Sequence, residues 1–156
     1  MVQQAKSKRD ELPALGDNLE FMRLLWAVDH GLHSTSKRMN ATLGVTGPQR
    51  LVIRMTGKFP GISAGELANI LHVHKSSLTG ILERLEERGL LKRSADPTDG
   101  RRAIFHLTAK GKEVDSLRAG TVEQAIRKVL AKVPGDKLET TREVLHLVAN
   151  ALTGER

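Results

Sequence analysis

The chain contains no cysteine, which excludes disulfides and thiolate zinc sites, so any switch it carries works without thiol chemistry. It has no apolar run approaching the roughly 20 residues of a membrane span, and the opening MVQQAKSKRDE lacks the apolar centre of a secretion signal. The expectation is a cytoplasmic protein that meets no membrane. Catalytic signatures are missing too: there is no G-x-S-x-G, no phosphate-cradling glycine-rich loop and no H-E-x-x-H. Asp29 beside His30 and His33 is too small a set for acid–base chemistry, and no enzyme is expected. Acidic residues are outnumbered, 18 Asp plus Glu against 25 Lys plus Arg, and the resulting formal charge of +7 favours polyanionic partners without identifying them. A length of 156 residues fits one domain with a real core.

What is present concentrates in residues 63–108. Ser63 with Glu66 forms a capping box ahead of Leu67, Ala68, Ile70 and Leu71, the apolar face of a short helix. After a turn at His72-Val73-His74, Leu78, Ile81, Leu82 and Leu85 recur at helical spacing over about 75–88, and Gly89 follows where a left-handed cap is wanted. The first turn of that second helix gathers Lys75, Ser76, Ser77 and Thr79, groups able to reach base edges and phosphates from a major groove. A hairpin comes next. Asp96-Pro97-Thr98-Asp99-Gly100 places Asp and Pro at the first two turn positions and Gly where a positive φ is expected. On the return strand Ala103, Phe105 and Leu107 alternate with Arg102, Ile104 and His106, leaving Arg101 and Arg102 near an exposed tip suited to a narrow minor groove. Helix, turn, helix and basic hairpin in unbroken order predict a winged helix-turn-helix.

Asp99 and Arg101 form D-x-R, and Leu107, Thr108 and Gly111 form L-T-x-x-G. Together with the Leu67-Ala68 helix, the Ser77-Leu78-Thr79 opening of the second helix and the Arg88-Gly89-Leu90 junction, they resemble the MarR family of winged-helix bacterial regulators over most of the chain. The combination is specific, whereas L-T-x-x-G alone is weak. The resemblance implies a mainly α fold with a small β-hairpin wing, in which a DNA-binding core at about 45–107 is flanked by N- and C-terminal dimerisation helices at about 17–43 and 108–153. A single domain over 17–156 would then follow a mobile arm at 1–16. It also implies that Arg101 enters the minor groove and that Asp99 holds it in place, although Asp99 has a plainer reading as turn chemistry.

Apolar stripes frame the core. Phe21, Leu25, Val28, Leu32, Met39 and Leu43 mark a long first helix, and Thr46 with Gln49 and Pro48 open a second at about 48–58. Thr108 opens a fifth whose stripe, Val114, Leu117, Val122, Ile126, Val129 and Val133, crosses Gly120 before Pro134. Asp136 with Glu139 opens a last helix carrying Leu138, Thr141, Leu145, Val148 and Leu152. The outer stripes have no second layer within one chain. A homodimer joined through them would space two reading helices roughly 34 Å apart on palindromic double-stranded DNA; a monomeric bundle is the alternative.

Base contacts are expected from Ser76, Ser77 and Thr79 and a phosphate contact from Lys75, while Arg93 and Arg102 face either phosphate or solvent. The resemblance implies that small aromatic acids bind between the dimerisation helices and the core. Trp26 offers such an effector a stacking face, and His30, His33, Arg50 or Arg54 a charge for its carboxylate; plain packing of Trp26 in a dimer core accounts for the same residues. The pairs His30-x-x-His33 and His72-x-His74 lack further ligands, so neither a metal nor a cofactor is expected. The sequence therefore predicts a homodimeric repressor released by a small anionic effector, with an architectural DNA binder or a metal-responsive regulator as alternatives.

Overall fold

The computed structural model describes residues 14–154, so most of the expected arm lies outside the described residues. The order of elements is α1 (Gly16–Leu43), α2 (Gly47–Lys58), β1 (Ile62–Ser63), α3 (Ala64–Leu71), α4 (Lys75–Glu87), β2 (Leu91–Ala95), β3 (Ala103–Leu107), α5 (Ala109–Ser116), α6 (Val122–Leu130) and α7 (Gly135–Thr153). The fold is mainly helical, with one small antiparallel sheet in the order β1-β3-β2. No helix among the described residues is long and apolar enough to cross a membrane.

Local chemistry accounts for most of these boundaries. The Thr46 and Ser63 side chains each accept from the backbone N–H three residues on, and Gln49 and Glu66 reach back to the capping backbone, so both expected capping boxes form. At the end of α4, Leu90 N donates to Leu85 O (2.9 Å) and Gly89 N to Glu86 O (2.8 Å), with Gly89 at φ 68°. That is a Schellman closure, and it turns the chain straight into β2. In the sheet, Leu91 pairs with Leu107 and Ala95 with Ala103, while Ile62 of β1 pairs with Phe105. Two residues of β1 are too short a run to show alternation, which is why no strand was expected there.

Leu67 and Ala68 of α3, Leu78, Leu82 and Leu85 of α4, Val52 and Ile53 of α2 and Phe105 of β3 form one buried cluster with Val45, Leu90 and Leu91. Each fully buried aliphatic side chain of this kind contributes about 1.5–3 kcal/mol. Only Met39 of α1 is buried, and no residue of α6 or α7 is.

The L-T-x-x-G motif locks this core to α5. Thr108 Oγ1 donates to Gly89 O (2.6 Å) and accepts from Gly111 N (3.0 Å), while Thr108 N donates to Leu90 O (3.2 Å). A Cβ on Gly111 would lie 2.1 Å from Leu90 O. That carbonyl cannot retreat without losing its Thr108 bond. Gly111→Ala should therefore cost about 1–3 kcal/mol through overpacking, against the roughly 1 kcal/mol that alanine offers a helix. Urea unfolding reads the sign directly: a stabilised variant would show that the approach is looser than described.

Three expectations change. The single helix from Thr108 to Val133 is two helices, because α5 ends at Ser116, Gly120 takes φ 75° and Thr121 caps α6 by accepting from Gln124 N. The last helix starts at Gly135, with Pro134 at its cap, so Asp136 lies in the first turn and caps nothing. Gly100 is absent from the positive-φ glycines. The hairpin closes instead as a turn over 99–102, with Arg102 N donating to Asp99 O (2.9 Å) beneath an Asp96 N to Arg102 O bond (2.9 Å), and position 100 there tolerates ordinary backbone angles.

Candidate nucleic-acid interface

Helix α4 buries Leu78, Leu82 and Leu85 and exposes Lys75, Ser76, Ser77 and Thr79, so its apolar side sits on the core while its first turn faces outward. His74 occupies the N-cap position with no side-chain hydrogen bond to the helix. The first N–H groups of α4 thus keep their donors, and with Lys75 they present positive potential to an approaching phosphate. Ser76 and Ser77 make no side-chain hydrogen bond among the described residues. Thr79 Oγ1 donates to Lys75 O (2.8 Å). Its hydroxyl proton is therefore occupied, and it can meet a base only as an acceptor or through its methyl group.

The wing separates its arginines into different tasks. Arg101 is exposed, and its backbone N–H donates to Asp99 Oδ1 (3.1 Å). Asp99 thus fixes the main chain under Arg101 and leaves the guanidinium outward. Asp96 accepts from Thr98 N and Oγ1 (2.8 and 2.7 Å), and these bonds hold its carboxyl below the usual range. Arg102 Nη2 donates to Ser63 Oγ (2.9 Å) and lies near Glu66 and Asp96, tying the wing to the start of α3. Arg93 forms a two-pronged pair with Glu86 (2.9 and 3.1 Å) and stacks over Phe105. Its charge already has a protein partner. Between the α3 start and the wing lies an open pocket of about 450 Å³ lined by Ser63, Gly65, Glu66, Asn69, Lys75 and Arg102.

The residues expected to meet an effector are divided. Trp26 is 64% exposed, and His30 and His33 are exposed on the same helix, with His33 Nδ1 2.9 Å from Asp29 O. Arg50, by contrast, is 1% exposed. Its guanidinium donates to the carbonyls of Val114, Asp115 and Leu117 at the end of α5, and to Glu123 Oε1 through Nε (2.8 Å) and Nη2 (2.5 Å). Arg54 Nη1 meets Asp115 Oδ1 at 2.7 Å, and its Nε lies 3.8 Å from Glu123. Burial pushes the Glu123 carboxyl up, yet the Arg50 hydrogen bonds and the charges of Arg50 and Arg54 outweigh it and hold the group below its ordinary value.

Sequence reasoning missed Asp115 and Glu123, because both look like solvated charges on a helix that was read as continuous. The pair Thr121 and Gln124, three apart after a glycine, was the available sign of a new helix. Of the histidine pairs, His74 is the α4 cap position, whereas His72 takes φ 51° at the end of α3 and its ring meets that of His146 edge-on, 5.0 Å between centroids. No group of three or more potential metal ligands gathers among the described residues.

Comparison with known proteins places this geometry. A family model described as MarR family matches residues 43–102, which run from the end of α1 to the wing. An HTH-type transcriptional repressor of Mycobacterium tuberculosis is 28% identical over 131 residues, 84% of this chain and 94% of the relative. The transcriptional regulator HosA of Escherichia coli O111:H- is 30% identical over 107 residues, 69% of this chain and 79% of the relative. The MepR–DNA complex of S. aureus superposes with a TM-score of 0.69 at 16% identity, covering 85% of this chain and 97% of that one, a likeness of fold. With the helix-turn-helix, the wing and the L-T-x-x-G lock all in place, the chain belongs to the MarR family of winged-helix transcriptional regulators.

Proposed function

We propose that the protein represses transcription as a cytoplasmic homodimer that sets two copies of α4 in successive major grooves of a palindromic operator and is released by a small aromatic carboxylate. The observation that carries the DNA reading is the pairing of an uncapped, outward α4 start with an arginine at the wing tip that no protein group neutralises among the described residues. Lys75 and the free α4 amides take phosphate, Ser76, Ser77 and Thr79 read base edges, and Arg101 enters the adjoining minor groove. Arg93 and Arg102 act mainly within the protein, holding the wing against α4 and α3.

The dimer reading rests on apolar area that one chain leaves in water. Leu19, Leu24, Trp26 and Val28 of α1, Val129 of α6, and Leu147 and Leu152 of α7 are all exposed. Large apolar side chains left in water on helices at both ends of the chain are what a second copy would cover, and a two-fold pairing does so while facing both reading helices the same way. The DNA-bound state of MepR and the repressor role in the name of the mycobacterial relative support the DNA-binding repressor part of the proposal.

Arg101→Ala tests the wing. Operator affinity should fall by about 1–3 kcal/mol, the range of a good base contact, with the circular dichroism and melting temperature of the free protein unchanged because the side chain packs on nothing. Unchanged affinity at moderate salt would remove the wing tip from the mechanism.

A further inference from the structure

Arg101 is held by the bond that its backbone N–H gives to Asp99 Oδ1. What holds that backbone against the reading head is its neighbour, Arg102. Strand β1 pairs with β3 as far as Ile104, opposite Ser63, and beyond that point an open cleft of about 450 Å³ lies between Glu66 of α3, Lys75 of α4 and Arg102 of the wing. Arg102 spans it. On the wing side its carbonyl accepts from Asp96 N (2.9 Å) and its Nε lies 3.9 Å from Asp96 Oδ2. On the α3 side its Nη2 donates to Ser63 Oγ (2.9 Å) and lies 3.5 Å from Glu66 Oε2. The direction of the hydrogen bonds makes Glu66 the organiser of this bridge, because a serine hydroxyl has one proton and two lone pairs. The Ser63 proton goes to Glu66 Oε2 (2.7 Å), which leaves the lone pairs for Glu66 N (3.3 Å) and Arg102 Nη2. The same carboxylate oxygen accepts from Ser63 N (2.8 Å), and these bonds from the Ser63 backbone and hydroxyl hold the Glu66 carboxyl below its ordinary value. It therefore stays charged beside Arg102.

We propose that Glu66 is a positioning residue for sequence readout: through Ser63 and Arg102 it sets the stance of the wing across the cleft from α4, so that Arg101 and the α4 start meet their grooves in one register. The proposal rests on the wing reading above and adds to it two residues, Glu66 and Ser63, that need touch no base. The Arg102 and Glu66 side chains are 49% and 56% exposed, so their pairing adds little to stability. Its effect is on geometry. Overall affinity comes mainly from phosphate contacts, whereas discrimination depends on where the base-reading groups stand. Loss of the bridge should therefore lower discrimination at the minor-groove positions and spare overall binding.

The test uses the full chain, a duplex selected by it from a random pool, and the same duplex with the positions flanking each half-site replaced. Glu66→Gln keeps the cap of α3, since a glutamine oxygen also accepts from Ser63, and removes the charge that faces Arg102. Its preference for the selected flanks should fall roughly two- to fivefold, the population change that an exposed pair can hold. It should bind the replaced duplex at least as well as the natural chain does and melt at nearly the same temperature, whereas a change that only loosened the fold would weaken binding to both duplexes. Arg102→Lys keeps the charge but cannot span Ser63 and Asp96 at once, and it should lose the preference to a similar degree with the α3 cap untouched. A preference undiminished in Glu66→Gln overturns the proposal and leaves the wing reading standing. So does a loss that Arg102→Lys does not share, which would place the effect in the α3 cap. If the natural chain itself shows no flank preference, the wing reading falls and the proposal falls with it.

Discussion

Arg50→Ala should destabilise the free protein by about 3 kcal/mol, the low end of the roughly 3–5 kcal/mol seen when one partner of a buried ion pair is removed. The low end applies because Glu123 keeps about a third of its side chain in water and can be resolvated. The larger share of the loss comes from the Arg50 hydrogen bonds to the carbonyls of Val114, Asp115 and Leu117, which would keep only Leu117 N, half-buried Arg54 and exposed Arg118 as donors among the described residues, and from the void left by a long side chain. For a chain of this size that corresponds to a fall in Tm of roughly 6–12 °C. Arg50→Met restores much of the volume and none of the donors, so it should recover only a minor part. A loss below about 1 kcal/mol for Arg50→Ala in urea unfolding would mean that the break between α5 and α6 is held by packing alone.

The second large effect is on DNA. If each of two reading heads neutralises three to five phosphates through Lys75, the α4 start, Arg101 and their neighbours, the affinity should fall by roughly 10³–10⁵ between 50 and 200 mM salt, following a slope of about −0.9 per phosphate. The cations differ in what they bring to that slope. Arg93 is already paired with Glu86, and Arg102 lies among Ser63, Glu66 and Asp96, so neutralising either by substitution should change the slope less than Lys75→Ala does. Equal changes for all three would show that the intramolecular pairs open on binding. A flat salt profile would contradict the interface altogether.

Where one residue's chemistry decides a boundary, the sequence was readable. Thr46 with Gln49, Ser63 with Glu66 and the glycine after Arg88 each act within a few positions, and each element begins or ends where they stand. The break at 117–121 was hidden because the apolar spacing continues across it: Val114 and Val122, eight apart, keep a helical interval, although Leu117 between them is extended and Gly120 left-handed. Arg50, 64 residues from Val114 in sequence, binds the end of α5 at that break, and no local pattern reports such a bond. The same limit applies to the candidate site. The hydroxyls and Lys75 of α4 could be placed from periodicity, but the neutralisation of Arg93 by Glu86 and of Arg50 by Glu123 depends on how the elements pack. The failure of Gly100 to take a positive φ is smaller in kind, since Asp96 and Asp99 compete to start the same turn and Asp99 prevails.

The central claim, two identical reading heads on one palindromic duplex, is tested most directly by selecting DNA from a random pool with the intact protein at moderate salt and sequencing what is retained. The account predicts an enriched inverted repeat whose half-sites are centred about one helical turn apart, 10–10.5 base pairs, and loss of that enrichment at positions flanking each half-site in Arg101→Ala. Retention without sequence enrichment, or a single enriched half-site bound by one chain, would contradict it.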